Sequence, residues 1–134
     1  IFSNNSTLAG HVTVQEYVIL AGMVAVHQFC NIGRHAFIAG GSLVRKDIPP
    51  FVKAAREPLS YVGINSVGLR RRGFESEKIR EIQNIYRIIY QKKFNNTQAI
   101  NIIEAEVEAT KARDEILLFI RNSQRGIMKG YVQN

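Results

Sequence analysis

The chain has 134 residues, of which 46% are hydrophobic and 22% charged, a balance that excludes a disordered polar chain and suits one domain with an appended subdomain. No apolar run approaches the ~20 residues of a membrane-spanning helix. The formal net charge of +7 points to an acidic partner (a nucleotide, a nucleic acid or an acidic protein), with simple solubility as the plainer reading.

The first residues, Ile1-Phe2-Ser3-Asn4-Asn5, read as part of the repeat that follows and carry no cap. Repeat proteins need one, so the expectation is a piece of a longer chain, in which no signal peptide could be seen.

Residues 8–47 hold the pattern that organises the chain. Every sixth residue is aliphatic: Leu8, Val14, Leu20, Val26, Ile32, Ile38 and Val44. The residues two positions earlier, Ser6, Val12, Val18, Val24, Cys30, Ala36 and Ser42, are small or β-branched. Neither a helix nor an ordinary strand repeats at six, whereas a hexapeptide β-helix does. Each hexapeptide supplies one short strand and one corner. Three make a triangular coil, so residues eighteen apart stack at the strand spacing of about 4.8 Å. Cys30 falls in an inward column and reads as a core thiol in a reducing compartment.

Asp47-Ile48-Pro49-Pro50 is expected to end the repeat, because two prolines remove two ladder donors and turn the chain away from the coil. Residues 51–74 read as an irregular connection with extended pieces at Phe51–Ala54 and Tyr61–Ile64, punctuated by Gly63, Gly68 and Gly73. From 75 to 93, Ile79, Ile82, Ile85, Tyr86, Ile89 and Tyr90 keep helical spacing, with Ser76 as the N-cap. A second helix is expected from Thr97, carrying Ile100, Ile103 and Val107. A third carries Ile116, Leu117, Phe119 and Ile120 and ends before Gly126. Together they are expected to form a separate helical subdomain.

The chain holds no catalytic-serine motif, Walker loop or GxGxxG. His11 and His27 both fall at outward repeat positions; His11 lies eighteen before Phe29 and His27 two before it, so they share one wall. His35 stacks over Tyr17 on another wall and reads as structural. That separation, with no short ligand spacing, argues against zinc. Gly10 is either a plain corner turn or a bare N–H donor beside His11, suited to a developing oxyanion. Gly22 and Gly40, eighteen apart, stack into a floor without side chains, as turn geometry or as a slot for something long and apolar. Arg70-Arg71-Arg72, with Asn65 nearby, suits phosphate through forked donors, or is a solvated basic turn.

LAGHVTV, AGMVAVHQFCNIGRHAFIAGGSLVRKDIPPF and GINSVGLRRRGF, in that order and followed by helices, resemble the UDP-N-acetylglucosamine O-acyltransferases of lipid A biosynthesis over essentially the whole chain. The resemblance implies a mainly β fold: a left-handed parallel β-helix whose final coils occupy 1–50, a connection at 51–74 with a basic ligand-binding segment, and a C-terminal α-helical subdomain at 75–134. It implies a cytoplasmic homotrimer with no nucleic-acid partner and no stable membrane insertion. The implied reaction moves a 3-hydroxyacyl chain from acyl carrier protein to the 3-hydroxyl of UDP-N-acetylglucosamine, the first step of lipid A biosynthesis. No cofactor is implied beyond the carrier's phosphopantetheine arm, and no metal.

By the same resemblance, Gly10 corresponds to the oxyanion donor, while His11, His27 and Gln28 line a cleft between two subunits. Asn65, Arg71 and Arg72 correspond to contacts with the nucleotide or the phosphopantetheine arm, and Gly40 to the position that sets acyl length. The family's general-base His, held by an Asp, lies about one coil before His11, outside this sequence. Val67 stands where relatives can carry Glu, and Pro58 where they can carry His, which bears on nucleotide contacts rather than on the reaction class. Two alternatives remain at this stage. One is the sister N-acyltransferase of the same pathway, against which GLRRRGF and the long helical tail argue. The other is a non-catalytic trimeric scaffold.

Overall fold

The structure, a computed structural model, describes residues 6–91 and 93–131; the coil expected at Ile1–Asn5 lies outside them. Seven two-residue strands recur at six-residue intervals: β1 (Thr7–Leu8), β2 (Thr13–Val14), β3 (Ile19–Leu20), β4 (Ala25–Val26), β5 (Asn31–Ile32), β6 (Phe37–Ile38) and β7 (Leu43–Val44). They pair in parallel into three walls. Leu8 meets Val26, which meets Val44; Val14 meets Ile32; Leu20 meets Ile38. Every step is eighteen residues, so the period of six builds the expected left-handed parallel β-helix.

Both inward columns form the coil's interior. Leu20, Val26, Ile32, Ile38 and Val44 are at most 2% exposed, and Val18, Val24, Cys30 and Ala36 are buried beside them. Each large side chain so buried contributes roughly 1.5–3 kcal/mol. Leu8, Val12 and Val14 of the same columns are less buried. Each corner needs one residue in the left-handed region: His11, Tyr17, Met23, Phe29 and His35 take it with φ of 58, 63, 63, 68 and 64°, and Gly41 with 75°.

The two prolines do not turn the chain away, contrary to the expectation. Ile48 N–H donates to Asn31 O, and Phe51 N–H donates to Arg34 O, each at 2.9 Å. Pro49 and Pro50 fall between these two donors, at a corner where the ladder asks for no N–H, so they remove nothing from it. The chain runs on into β8 (Val52–Ala55), which adds to β6 in a register shortened to sixteen residues, Phe37 opposite Lys53. Close packing makes this corner possible. A Cβ on Gly33 would lie 2.5 Å from Pro50 N, so only glycine fits beneath that proline. Strand β9 (Ser60–Ile64) then folds back antiparallel on β8 and covers the edge of that wall.

Four helices follow. Within the segment read as irregular, α1 (Ser66–Arg71) forms because Asn65 accepts from Gly68 N–H as its N-cap. The others are α2 (Ser76–Gln91), α3 (Asn96–Glu106) and α4 (Lys111–Asn122). Ser76 is thus the first helical residue, with Glu75 O already accepting from Ile79 N–H. The second long helix starts earlier than Thr97, because Asn95 and Gln98 make a reciprocal capping box, and Val107 is its C-cap. Thr110 caps α4 through Arg113 N–H.

One continuous hydrophobic cluster joins the coil to these helices, from Val18 through Ile79, Ile82, Ile85 and Ile103 to Met128. Tyr86 donates to Pro50 O at 2.5 Å and Tyr90 to Met128 O at 2.7 Å, both from within that cluster or its edge. Beyond α4 the chain returns to the coil. Asp47 N–H donates to Gly126 O, Met128 N–H to Asp47 O, and Tyr61 N–H to Lys129 O. The guanidinium of Arg34 grips Glu115 of α4 through two bonds of 2.8 and 3.0 Å.

Candidate functional site

The candidate residues come from three different edges of the triangular prism. The first edge lies between the walls of β1 and β2. Here Phe29 N–H donates to Gly10 O, so Gly10-His11 sits directly beneath Gln28-Phe29. The His11 ring stacks on Phe29 with centroids 5.1 Å apart and planes 11° off parallel, as the eighteen-residue spacing requires. Gly10, His11, His27 and Gln28 are all exposed, and a Cβ on Gly10 would meet nothing within 4 Å. Packing therefore does not require glycine at position 10. No neighbouring group fills the space beside its α-carbon.

The second edge, between the walls of β2 and β3, carries Tyr17 and His35, stacked at 4.9 Å. His35 stacks in turn on Phe51 and meets Phe74 edge-on. Burial among these rings, reinforced by the nearby Arg34 and Arg72 charges and opposed by Glu115, brings the His35 imidazole down to about 4 from 6.5. It is neutral at physiological pH and belongs to the packing, in keeping with its structural reading.

Helix α1 leans over this edge. Asn65 is buried, and its amide bridges the two parts: Nδ2 donates to His35 O at 3.0 Å while Oδ1 accepts from Gly68 N–H at 3.2 Å. A Cβ on Gly68 would come within 2.4 Å of that amide, so glycine is required there. Tyr17, Ile19, His35, Asn65, Gly68, Arg71 and Arg72 line a pocket of about 450 Å³. Among the described residues no carboxylate pairs with Arg70, Arg71 or Arg72; the ion pairs found are Arg34–Glu115, Arg113–Asp114 and Arg121–Glu104. The guanidinium of Arg72 instead lies 4.3 Å from the centre of the Tyr17 ring. The arrangement leaves two cations, beside a neutral His, facing a cavity large enough for a phosphate-bearing group.

The third edge holds Gly22, Met23, Gly40 and Gly41. Gly41 N–H donates to Gly22 O at 2.9 Å, and a Cβ on Gly40 would lie 3.1 Å from that oxygen. The two glycines stack as expected, and a side chain at 40 needs a few tenths of an ångström of give.

The structure thus brings Gly10, His11, His27 and Gln28 to one edge and Asn65, Arg71 and Arg72 to another, with Gly40 on the third. Within one chain these groups do not converge. Among the described residues no three His, Cys, Asp or Glu side chains gather into a metal-binding group. Sequence reasoning missed α1 and the place of Tyr17 in the arginine pocket. The helix had a signal: Asn65 ahead of it and Gly73 behind it, with φ of 88°, are cap residues. Pro58 lies away from this pocket, against Leu43, Arg45 and Tyr131 in another cleft.

Comparison with known proteins matches residues 47–128 to a family described as UDP-N-acetylglucosamine O-acyltransferase, domain 2. The acyl-[acyl-carrier-protein]–UDP-N-acetylglucosamine O-acyltransferase of Aliivibrio salmonicida is 42% identical over 96% of this chain and 49% of its own length. Among solved structures, the UDP-N-acetylglucosamine acyltransferase from Bacteroides fragilis aligns with a TM-score of 0.89 at 44% identity, over 96% of this chain and 52% of that one. The Francisella novicida enzyme aligns with a TM-score of 0.90 at 39% identity, over 96% and 47%. The chain spans about half the length of the curated relatives it matches.

Proposed function

This chain belongs to the UDP-N-acetylglucosamine O-acyltransferase family, and from that premise we propose that the whole protein transfers a 3-hydroxyacyl group from acyl carrier protein to the 3-hydroxyl of UDP-N-acetylglucosamine, the first step of lipid A biosynthesis. The observation that carries the reading for this chain is the pair Arg71 and Arg72, which have no carboxylate partner among the described residues and line a pocket beside a neutral His35. Both substrates of such a reaction present phosphate: the nucleotide diphosphate, and the phosphodiester of the carrier's arm. Forked guanidinium donors suit either.

In this reading Gly10 N–H stabilises the oxyanion that forms as the sugar hydroxyl attacks the thioester. His11, His27 and Gln28 line the cleft around it, Asn65 fixes α1 so that Arg71 and Arg72 face the phosphate, and Gly40 limits the acyl chain. The reaction releases the carrier thiol and forms an ester, with no cofactor of the protein's own. The proton of the attacking hydroxyl goes to a base outside these residues.

The separation of the candidates onto three edges supports a homotrimer, since packing prisms about a threefold axis sets one subunit's edge against a different edge of its neighbour. Exposed Tyr17, Met23 and Phe29 on those edges need such cover. No described helix is long and apolar enough to cross a membrane, and we place the activity in the cytoplasm with its nucleotide substrate.

The test is kinetic, in the full-length protein. Arg71→Ala and Arg72→Ala each remove a charge-assisted bond of roughly 1.5–3 kcal/mol, so kcat/KM falls by about one to two orders of magnitude while the melting temperature holds. A lower melting temperature with unchanged KM would put the arginines in the fold instead.

A further inference from the structure

Arg72 ends α1, and its backbone N–H closes on Gly68 O and Leu69 O at 3.2 and 3.1 Å. That fixes where its side chain starts but not where a long, flexible chain ends. Among the described residues no carboxylate pairs with the guanidinium, whose charged end lies 4.3 Å from the centre of the Tyr17 ring. Tyr17 is itself well anchored. Its backbone takes the left-handed corner conformation, φ 63°, and its ring stacks at 4.9 Å on His35, which is buried against Phe51 and Phe74. A guanidinium lying over an aromatic face keeps its in-plane N–H donors available for a forked contact.

The geometry points to Tyr17 as the positioning residue of the arginine pocket: its ring holds the Arg72 guanidinium over the cavity so that the N–H edge meets a substrate phosphate. The inference rests on the reading of Arg72 given above and deepens it. The work is done by the ring face, over which the guanidinium lies. His35 is neutral, so it adds no third positive charge to Arg71 and Arg72 at the pocket.

The experiment is a double-mutant cycle in the full-length protein, with KM and kcat measured once against UDP-N-acetylglucosamine and once against acyl carrier protein. Tyr17→Leu is expected to raise one KM by about three- to fivefold with kcat nearly unchanged, the worth of a partly exposed cation–π contact. Tyr17→Phe restores it. In an Arg72→Ala background Tyr17→Leu adds nothing further. A rise confined to the UDP-sugar KM assigns the phosphate to the nucleotide, and one confined to the carrier KM assigns it to the phosphopantetheine arm. If Tyr17→Leu does not fold, Tyr17→Met, which keeps apolar bulk over His35 without an aromatic face, serves the same cycle. The inference is overturned if the two losses are additive, or if Phe at 17 is no better than Leu. If Arg72→Ala moves neither KM, the phosphate reading of the pocket fails and this inference with it. If Arg72→Ala moves a KM and the Tyr17 variants do not, Tyr17 alone is excluded.

Discussion

Asp47 Oδ2 accepts a 2.6 Å hydrogen bond from Ser123 Oγ, 76 residues further along the chain. Its other oxygen accepts from Asn31 N–H at 2.8 Å, one coil earlier, and the residue is only 1% exposed. One carboxylate therefore ties the last coil to the end of α4. Asp47→Ala strips a half-buried N–H and a half-buried hydroxyl of a charged acceptor, a loss of about 1–2 kcal/mol for each. We expect Asp47→Ala to lower unfolding stability by about 2–4 kcal/mol and Ser123→Ala by about 1. Denaturant titration checks this, and a loss under 0.5 kcal/mol for Asp47→Ala would remove the clamp.

Gly33 is the second structural test. Its added Cβ would meet three Pro50 atoms at 2.5–2.8 Å, two of them backbone, so no rotamer change relieves the clash. Gly33→Ala should cost about 1–3 kcal/mol, the usual range for overpacking. Gly10→Ala, whose Cβ meets nothing within 4 Å, is the matched control and should hold its melting temperature. Equal melting temperatures for the two variants would contradict the packing at the proline corner.

His35 makes stability depend on pH. Its folded-state value, about 4, lies below the unfolded 6.5, so the unfolded chain binds the extra proton between these limits. Stability contributed by the neutral ring is fully present above pH 6.5 and is lost as pH falls toward 4. Between pH 7 and pH 5 the loss is about 2 kcal/mol. His35→Phe keeps a ring for Tyr17 and Phe51 to stack on but does not titrate. Its stability curve should be flatter than wild type over that interval, and a parallel curve would place the acid sensitivity elsewhere.

The proposed trimer is tested by mass. Met23 is 65% exposed, Phe29 54% and Tyr17 44%, one on each edge of the prism, and the trimer would cover them. Light scattering of the full-length protein at micromolar concentration should return three times the chain mass, and a monomer at that concentration ends the trimer reading.

Chain length is the remaining prediction. The Gly22–Gly40 stack leaves the third edge without side chains at those two positions, and a Cβ at 40 has 3.1 Å to Gly22 O. We propose that an acyl groove ends at Gly40: Gly40→Met needs a few tenths of an ångström of give at Gly22 O and would then fill that end. An acyl chain shortened in response loses ~0.8 kcal/mol per methylene no longer buried. In competition between long and short 3-hydroxyacyl carrier proteins, the full-length variant should favour a chain several carbons shorter, with little change in UDP-sugar KM. An unchanged ratio in a folded variant would move the gauge to Ala36 and Phe37.

By itself the sequence determined the parts of this protein whose physics is periodic. A step of six sets the strand, the corner and the inward face in every hexapeptide, and three steps set the stack, so His11 over Phe29 and Tyr17 over His35 could be read before any coordinate. The apolar spacing of α2 and α4 was legible for the same reason. Cap chemistry was present but easier to overlook, as Asn65 ahead of α1 and Asn95 ahead of α3 illustrate. Only the tertiary structure decided what is not periodic. The proline corner holds because neither proline's missing N–H was needed and Gly33 lies beneath Pro50. The clamps Asp47–Ser123 and Arg34–Glu115 join residues 76 and 81 apart, and no local pattern encodes such a pairing. The edge at which Asn65, Arg71 and Arg72 arrive, and the meeting of Arg72 with Tyr17, depend on how α1 docks against the coil. That docking uses the Asn65 amide on His35 O, the Asn65 N–H on Phe51 O and the burial of Leu69, contacts that become visible only once both ends are folded.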